Sequence, residues 1–270
     1  MSKIGALRDL LFALLQEHER DSTIPTNARF LFYELVQRGE LSKERKGVRR
    51  PDQDLHDALT DLSEQERIPW DWIIDETRSL DSYVGHTTIK QGVLGRLRWI
   101  ALDPWRGCAP LVLTESRSLA GVLRSVAGDY RVRIAATNGQ CGGFLRTGIA
   151  PELRPDDRVI YLGDLDLSGD QIEANTRRVL EQASGSLDWE RLALTPEQVR
   201  EHDLPVIVKH DRRYKDGHAH EAVETEAISQ RVLVEILRAR LDKLLPEPLA
   251  RVQERERRQR AVVSRRIGER

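Results

Sequence analysis

Two aspartates flanking a leucine, Asp164-Leu165-Asp166, follow the apolar run VIYLG in RVIYLGDLDLSGD. At the end of an extended strand, residues two apart point the same way, so both carboxylates would face one ligand while Leu165 faces the core. Carboxylate oxygens are hard donors suited to magnesium, which keeps several waters and takes one or two protein carboxylates together with phosphate oxygens. A further acid, Glu115, closes another apolar run in LVLTES; it could supply a third carboxylate or relay a proton. Three anions converging without a cation repel, which raises at least one pKa. Bound Mg2+, or Mn2+ as its substitute, would relieve that conflict. The plainer alternative is an acidic loop that caps the next helix through Asp166, Ser168 or Asp170. The apolar strand before the pair, Gly169 after it and the strand-terminal glutamate upstream weigh against that alternative. Glu224 and Glu226 either support the same metal or are simply helix-start carboxylates.

These acids need a sheet to hold them. From about residue 105 onward, short apolar segments alternate with helical ones: PLVLTES precedes SLAGVLRSVAG, RVRIAATNG precedes a glycine-rich loop, and RVIYLGDLD precedes GDQIEANTRRVLEQA. LPVIVKH offers a further strand. This alternation predicts an α/β fold with a mostly parallel sheet covered on both faces by helices. In such sheets, ligands gather beyond the carboxyl ends of the strands. A long helix is expected from Ile228 to Leu245, stopped by Pro246. The segment from Leu249 to Arg270 carries eight arginines against three glutamates, and reads as a frayed tail or one lying on an anionic surface.

Before residue 105 the pattern is helical, then briefly extended. Ile4, Leu7, Leu10, Leu11, Leu14 and Leu15 mark one face of an amphipathic helix. Thr26 or Asn27 can cap a second helix through ARFLFYELVQRG, with Phe30, Leu31, Leu35 and Val36 buried and Gly39 at its end. The basic connector KERKGVRR leads into PDQDLHDALTDLSEQ, where Leu55, Ala58, Leu59 and Leu62 recur at helical spacing. IPWDWIIDETR then alternates like a strand or wing. Helix, basic turn, helix and strand is the order of a winged helix-turn-helix, a DNA-reading module.

Composition narrows the function classes. Charged residues make up 32% of the 270 positions, yet 43 cations and 44 anions cancel to −1. That balance excludes a uniformly cationic coat but allows a local basic face. No apolar run approaches the roughly 18 residues of a membrane span, and MSKIGALRDLLFALLQEHER lacks signal-peptide form. A chain without membrane contact, placed in the cytoplasm with the nucleoid, is therefore expected. Cys108 and Cys141 form no CxxC pair, which argues against a disulfide framework or a cysteine zinc site. There is no GxxxxGK[ST] or other evident ATP site.

The strand-terminal glutamate of VLTES followed by YLGDLDLSG resembles the Toprim domain of topoisomerases, primases and certain nucleases. Toprim preceded by a winged-helix unit resembles the topoisomerase VI A subunit and its relative, the meiotic double-strand-break protein. That family places an arginine four residues before a catalytic tyrosine, usually the second of a tyrosine pair. Here Arg29-Phe30-Leu31-Phe32-Tyr33 puts Tyr33 at the nucleophile position, with Phe32 replacing the first tyrosine. ETEAIS also resembles the family's stretch before its final helix. The resemblance spans residues 26 to 245. Because the chain is shorter than a typical A subunit, it looks closest to the compact stand-alone proteins called Mini-A.

The resemblance implies a winged-helix (CAP-like) domain over residues 1–104 and a Toprim domain over residues 105–270. It implies a type IIB topoisomerase A-subunit-like enzyme, a homodimer acting on double-stranded DNA, with a separate ATPase subunit as a possible further partner. Tyr33 of one protomer would attack DNA beside the other protomer's metal, held by Glu115, Asp164 and Asp166. The product would be a 5′-phosphotyrosyl link and a free 3′-hydroxyl. A phenol with pKa near 10 is a poor nucleophile at neutral pH unless its phenolate is stabilised. Arg29, one helical turn earlier, could hold the phosphate or that phenolate. Tyr33 could instead be a core aromatic, leaving a water-using Toprim nuclease, or a winged-helix DNA binder with an inert acidic loop.

Lys43, Arg45, Lys46, Arg49 and Arg50 would contact DNA phosphates, or form an ordinary solvated loop. In TNGQCGGFLRT, glycines could let backbone amides approach a phosphate; a plain turn before a helix is the simpler reading. Trp70 and Trp72 would pack the wing on the helices. His210, Asp211, His218 and His220 fit no zinc spacing.

Overall fold

Leucines three and four residues apart make the first helices one-sided, and one buried cluster joins them. In the computed structural model, which describes residues 3–42, 51–74, 85–139, 142–210 and 219–268, helix α1 (Lys3–Arg20) supplies Leu7, Leu11, Leu14 and Leu15 to that cluster. They meet Leu31 and Leu35 of α2 (Ala28–Gln37) and Leu55, Ala58, Leu59 and Leu62 of α3 (Pro51–Glu64). Asn27 caps α2 by accepting from the amides of Arg29 and Phe30, two of the donors a helix start leaves orphaned. Its side-chain nitrogen also donates to the carbonyl of Ser118 at 2.9 Å, so one residue both starts α2 and ties it to the rest of the chain.

Helix α4 (Ile89–Leu97) follows, and the α/β part begins with β1 (Leu111–Thr114) and α5 (Arg117–Tyr130). Next come β2 (Arg133–Ala136) and the short α6 (Gly142–Phe144), which runs on through helical turns to Glu152. Then come β3 (Arg158–Leu162), α7 (Leu167–Ser184), β4 (Asp188–Ala193) and α8 (Pro196–Glu201). The four strands pair in the order β2-β1-β3-β4 and every pairing is parallel. Side chains alternate between two cores with the strand period of two. Val159 and Tyr161 face the core beneath α7, while Ile160 and Leu162 face the core beneath α5. Both faces are therefore covered, as the apolar strands predict. The chain leaves β1 for β2 on one side and returns to β3 on the other, so the topological switch lies between β1 and β3. That is where open parallel sheets place their ligands.

Several elements depart from the sequence reading. LPVIVKH forms β5 (Ile207–His210), but it pairs antiparallel with β6 (Ala219–Ala222) in a separate two-stranded sheet. The expected wing strand is a single 3₁₀ turn, Trp70–Trp72, followed by an isolated bridge from Ile73 to Thr26; residues 75–84 lie outside the described residues. Trp70 is exposed and Trp72 packs on the helical cluster. After α9 (Gln230–Leu244) the arginine-rich segment is helical rather than frayed, as α10 (Leu249–Gly268). It packs along α4 with Val252 buried. Glutamates one turn away pair with its arginines: Glu254 with Arg257 and Arg258, and Glu256 with Arg260. Such pairs stabilise a helix, which accounts for its order.

Packing does not stop where composition changes near residue 105. Leu31 and Leu35 of α2 face α1 and α3, whereas Phe30 and Tyr33 enter the core shared with α5, α9 and the sheet. No helix among the described residues is long and apolar enough to cross a membrane.

Candidate functional site

Glu115 is the first residue past β1, and hydrogen bonds fix its backbone in the sheet. Its amide donates to the carbonyl of Leu162 at 2.9 Å, and its carbonyl accepts from the amide of Asn138 at 2.8 Å. The side chain crosses the switch point toward the end of β3, where Oε2 accepts from the amide of Asp164 at 3.0 Å. Glu115 thus points toward the aspartate pair. Asp164 Oδ1 accepts from both the amide and the hydroxyl of Thr225, at 2.8 and 3.0 Å. Asp166 Oδ1 accepts from the amide of Gly169 at 2.7 Å and so caps α7. The helix-capping alternative is therefore also true of Asp166: it starts α7 and stands at the rim. Gly169 is required by close approach, because a Cβ there would lie 2.3 Å from the Asp164 carbonyl oxygen and 3.4 Å from Glu115 Oε2.

A second acidic group stands beside the first. The 3₁₀ turn Thr225–Ala227 carries Glu226, 1% exposed, with Glu224 at its start. Glu226 Oε1 accepts from the Ser116 hydroxyl at 2.8 Å and lies 3.2 Å from Arg29 Nε. Arg29 Nη2 reaches Glu224 Oε2 at 3.2 Å. Gln37, at the far end of α2, donates to the carbonyl of Ala227. Helix α2 is thereby clamped onto the acidic turn at both ends.

The electrostatics follow from burial and like charge. Desolvation, then the charges of Asp164, Asp166 and Glu226, push the Glu115 carboxyl up to about 7, against the pull of the Asp164 amide. Burial likewise raises Glu226, opposed mainly by Arg29. Burial disfavours the charged Arg29, but Glu226, Glu224 and Asp164 outweigh it and hold the guanidinium above its ordinary value. Carboxylates of this kind, perturbed at a strand-end cleft, are candidates for chemistry.

Among the described residues no group of three or more His, Cys, Asp or Glu side chains is arranged to hold a metal ion. The donors nonetheless fit magnesium in kind, since that ion needs only one or two protein carboxylates. Glu115, Asp164 and Asp166 each have one oxygen engaged by a backbone amide.

The predicted residues divide into three sets. Glu115, Asp164, Asp166 and Arg29 come to one rim. Tyr33, one turn after Arg29 on the same helix, is 7% exposed and lies in the core, its ring edge-on to Phe32 at 5.6 Å. Lys43, Arg45, Lys46, Arg49 and Arg50 lie outside the described residues, as do Gln140, Cys141, Asp211 and His218. Three residues that serve the rim carry no sequence signal for that task. Ser116 reads as the cap of α5, Thr225 stands between two glutamates, and Arg191 is a lone cation in an edge strand. Arg191 pins the loop after β3, with Nη2 donating to the carbonyls of Gly163 and Asp164 at 3.2 and 2.5 Å.

No family model matches the chain, and neither does any curated protein or solved structure.

Proposed function

We propose that the chain is a metal-dependent DNA-cleaving or strand-passing enzyme of the type IIB topoisomerase A-subunit kind. In this reading a winged-helix region spans residues 1–104, a Toprim domain spans residues 105–270, and the enzyme works as a homodimer on double-stranded DNA. The observation that carries it is the meeting of strand-terminal acids at the switch between β1 and β3, with the helix bearing Arg29 and Tyr33 clamped onto the same rim. Bound magnesium would offset charge on the scissile phosphate. Asp164 and Asp166 would hold it, and Glu115 would join them or act in proton transfer.

Tyr33 Oη would attack phosphorus, losing its proton, while the bond from phosphorus to the 3′-oxygen breaks. The products are a 5′-phosphotyrosyl ester and a 3′-hydroxyl, with the leaving oxygen taking a proton. Glu115, which reaches the Asp164 amide at the same rim, would either give that proton and take it back on resealing or join the two aspartates in holding the metal. The test is a cleavage reaction with Mg2+ or Mn2+ stopped in denaturant. Protein covalently bound to DNA 5′ ends, lost in Tyr33→Phe and in Asp164→Asn, is the expected result.

The burial of Tyr33 favours a second reading, in which the same rim uses water as nucleophile and the chain is a Toprim nuclease. Free 5′-phosphate ends and full cutting by Tyr33→Phe would select it. DNA binding without cleavage at any metal or protein concentration would leave only a non-catalytic winged-helix binder.

A further inference from the structure

Beside the acidic rim lies a cavity of about 470 Å³, lined by Arg117 and Arg124 of α5, by Ala136, Thr137 and Asn138 after β2, and by Phe144 of α6. Its size falls within the roughly 300–1,000 Å³ of ligand pockets. Arg117 and Arg124 are seven residues apart, two helical turns, so they share one face of α5 about 10 Å apart along its axis. Both are exposed. Across from them, Phe144 is 48% exposed, an unusual position for a phenylalanine. Its ring rests against Gly148, where an added Cβ would come within 2.7 Å, so a backbone without a side chain supports a ring that faces solvent. The cavity adjoins the rim directly: Arg117 is two residues beyond Glu115, and the amides of Thr137 and Asn138 bond to the carbonyls of Thr114 and Glu115.

Two guanidiniums facing an exposed aromatic match the two ends of a nucleotide, phosphate and base. Arginine suits phosphate through its planar fork of donors, and an aromatic platform stacks an unpaired base whatever its identity. A paired base inside a duplex cannot offer its face. We propose that this cavity binds one unpaired nucleotide of a DNA strand, its phosphate on Arg117 and Arg124 and its base on Phe144, next to the acidic rim. The proposal rests on the reading of that rim as a site of DNA chemistry, and it adds that the strand is locally unpaired there.

The test is binding of a short dye-labelled oligothymidylate to the full chain in EDTA, followed by fluorescence anisotropy. Loss of one stacked base weakens single-strand binding by about 1–3 kcal/mol, so Phe144→Ala should weaken it roughly 5- to 150-fold. Phe144→Trp should restore it. Arg117→Ala and Arg124→Ala should each weaken binding and lower the salt slope by about 0.7 per lost phosphate contact. Thymidine monophosphate competing at micromolar concentration would instead assign the cavity to free nucleotides and overturn the strand. Unchanged affinity in all three alanine variants, equal loss in Phe144→Trp, or equal Phe144 dependence with duplex of the same sequence would also overturn it. No cleavage occurs in EDTA, so a failed covalent trap leaves this measurement standing, and its failure leaves the trap unaffected.

Discussion

Around α1–α3, charges are arranged as opposite pairs at the surface: Arg8 faces Asp61, Arg67 faces Asp9 and Arg38 faces Glu17. At the ends of β1 and β3 and the turn beside them, five acids (Glu115, Asp164, Asp166, Glu224 and Glu226) gather, and the arginine that pairs with two of them, Arg29, comes from the helical region. Exposed pairs of the first kind contribute little, about 0–1 kcal/mol each. An excess of partly buried carboxylates costs stability, and folds tolerate such conflicts where chemistry requires them. The contrast is what the proposed function predicts: chemistry at the sheet rim, and a helical region that positions α2.

The sharpest way to break this contrast is to neutralise one acid in each region. Asp164→Asn keeps an oxygen to accept the two bonds from Thr225, so its melting temperature should hold. Plasmid cleavage should nonetheless fall roughly 10²- to 10³-fold, the scale of losing one electrostatic stabiliser of a transition state. Asp61→Asn should leave cleavage unchanged. Equal effects on cleavage would show that the rim is no more functional than the helical surface.

A second test asks whether the two regions are mechanically separate. Phe30 of α2 is fully buried in the core shared with the sheet, while Leu31 next to it lies in the helical core. Phe30→Ala should cost about 3–5 kcal/mol and lower one common unfolding transition, seen together by far-ultraviolet circular dichroism and tryptophan fluorescence. Two separated transitions would mean that α2 does not couple the regions.

The same helix shows what could be read from sequence and what could not. The strands and the places of the acids just after β1 and β3 were legible, because apolar runs mark the strands and Glu115 and Asp164 follow them directly. The bond from the Asp164 amide to Glu115 was not, because it depends on how the two strands pair. The cap at Asn27 and the leucines of α1–α3 were equally plain, being local. Arg29 was visible as a candidate, but its partners Glu224 and Glu226 lie almost two hundred residues away, and no spacing rule links them. Tyr33 is a nucleophile candidate by resemblance alone, and its place in the core shared with α9 and the sheet is a tertiary fact that no local pattern carries. The order of α10 rests on glutamates one turn from its arginines, a pattern that the arginine count by itself hides.

Removing Arg29 should have the next largest effect. Arg29→Ala leaves Glu226, 1% exposed, with Ser116 but without its cation. Truncating one partner of a buried pair costs several kcal/mol; with Arg29 about two-fifths exposed, about 1–3 kcal/mol is expected after allowance for screening. Without the guanidinium, the carboxyl of Glu226 is raised further, so the loss should be greatest at alkaline pH and shrink as protonation neutralises it. Adding Glu226→Gln should recover much of the stability at pH 8. If it does not, the ion pair is incidental, and α2 is held by apolar contact alone.

The smallest expected effect tests the charge excess directly. Glu115 has a folded pKa of about 7 against 4.5 for an unperturbed glutamate, so between those values the folded state binds more protons than the unfolded one. Stability must therefore fall as pH rises from about 5 to about 7 and stay at the lower level above. The full shift would correspond to about 3 kcal/mol; partial exposure and local relaxation make about 1–2 kcal/mol the expected size. Glu115→Gln cannot titrate, yet its side-chain oxygen can still accept from the Asp164 amide. It should match the parent near pH 5, exceed it by that amount near pH 8 in EDTA, and lose cleavage activity. Magnesium should close the gap at pH 8 by stabilising the parent and not the variant. A variant less stable than the parent at pH 8 without metal would mean that the Glu115 carboxylate is already balanced by its hydrogen bond, and the rim would carry no stored conflict for a cation to relieve.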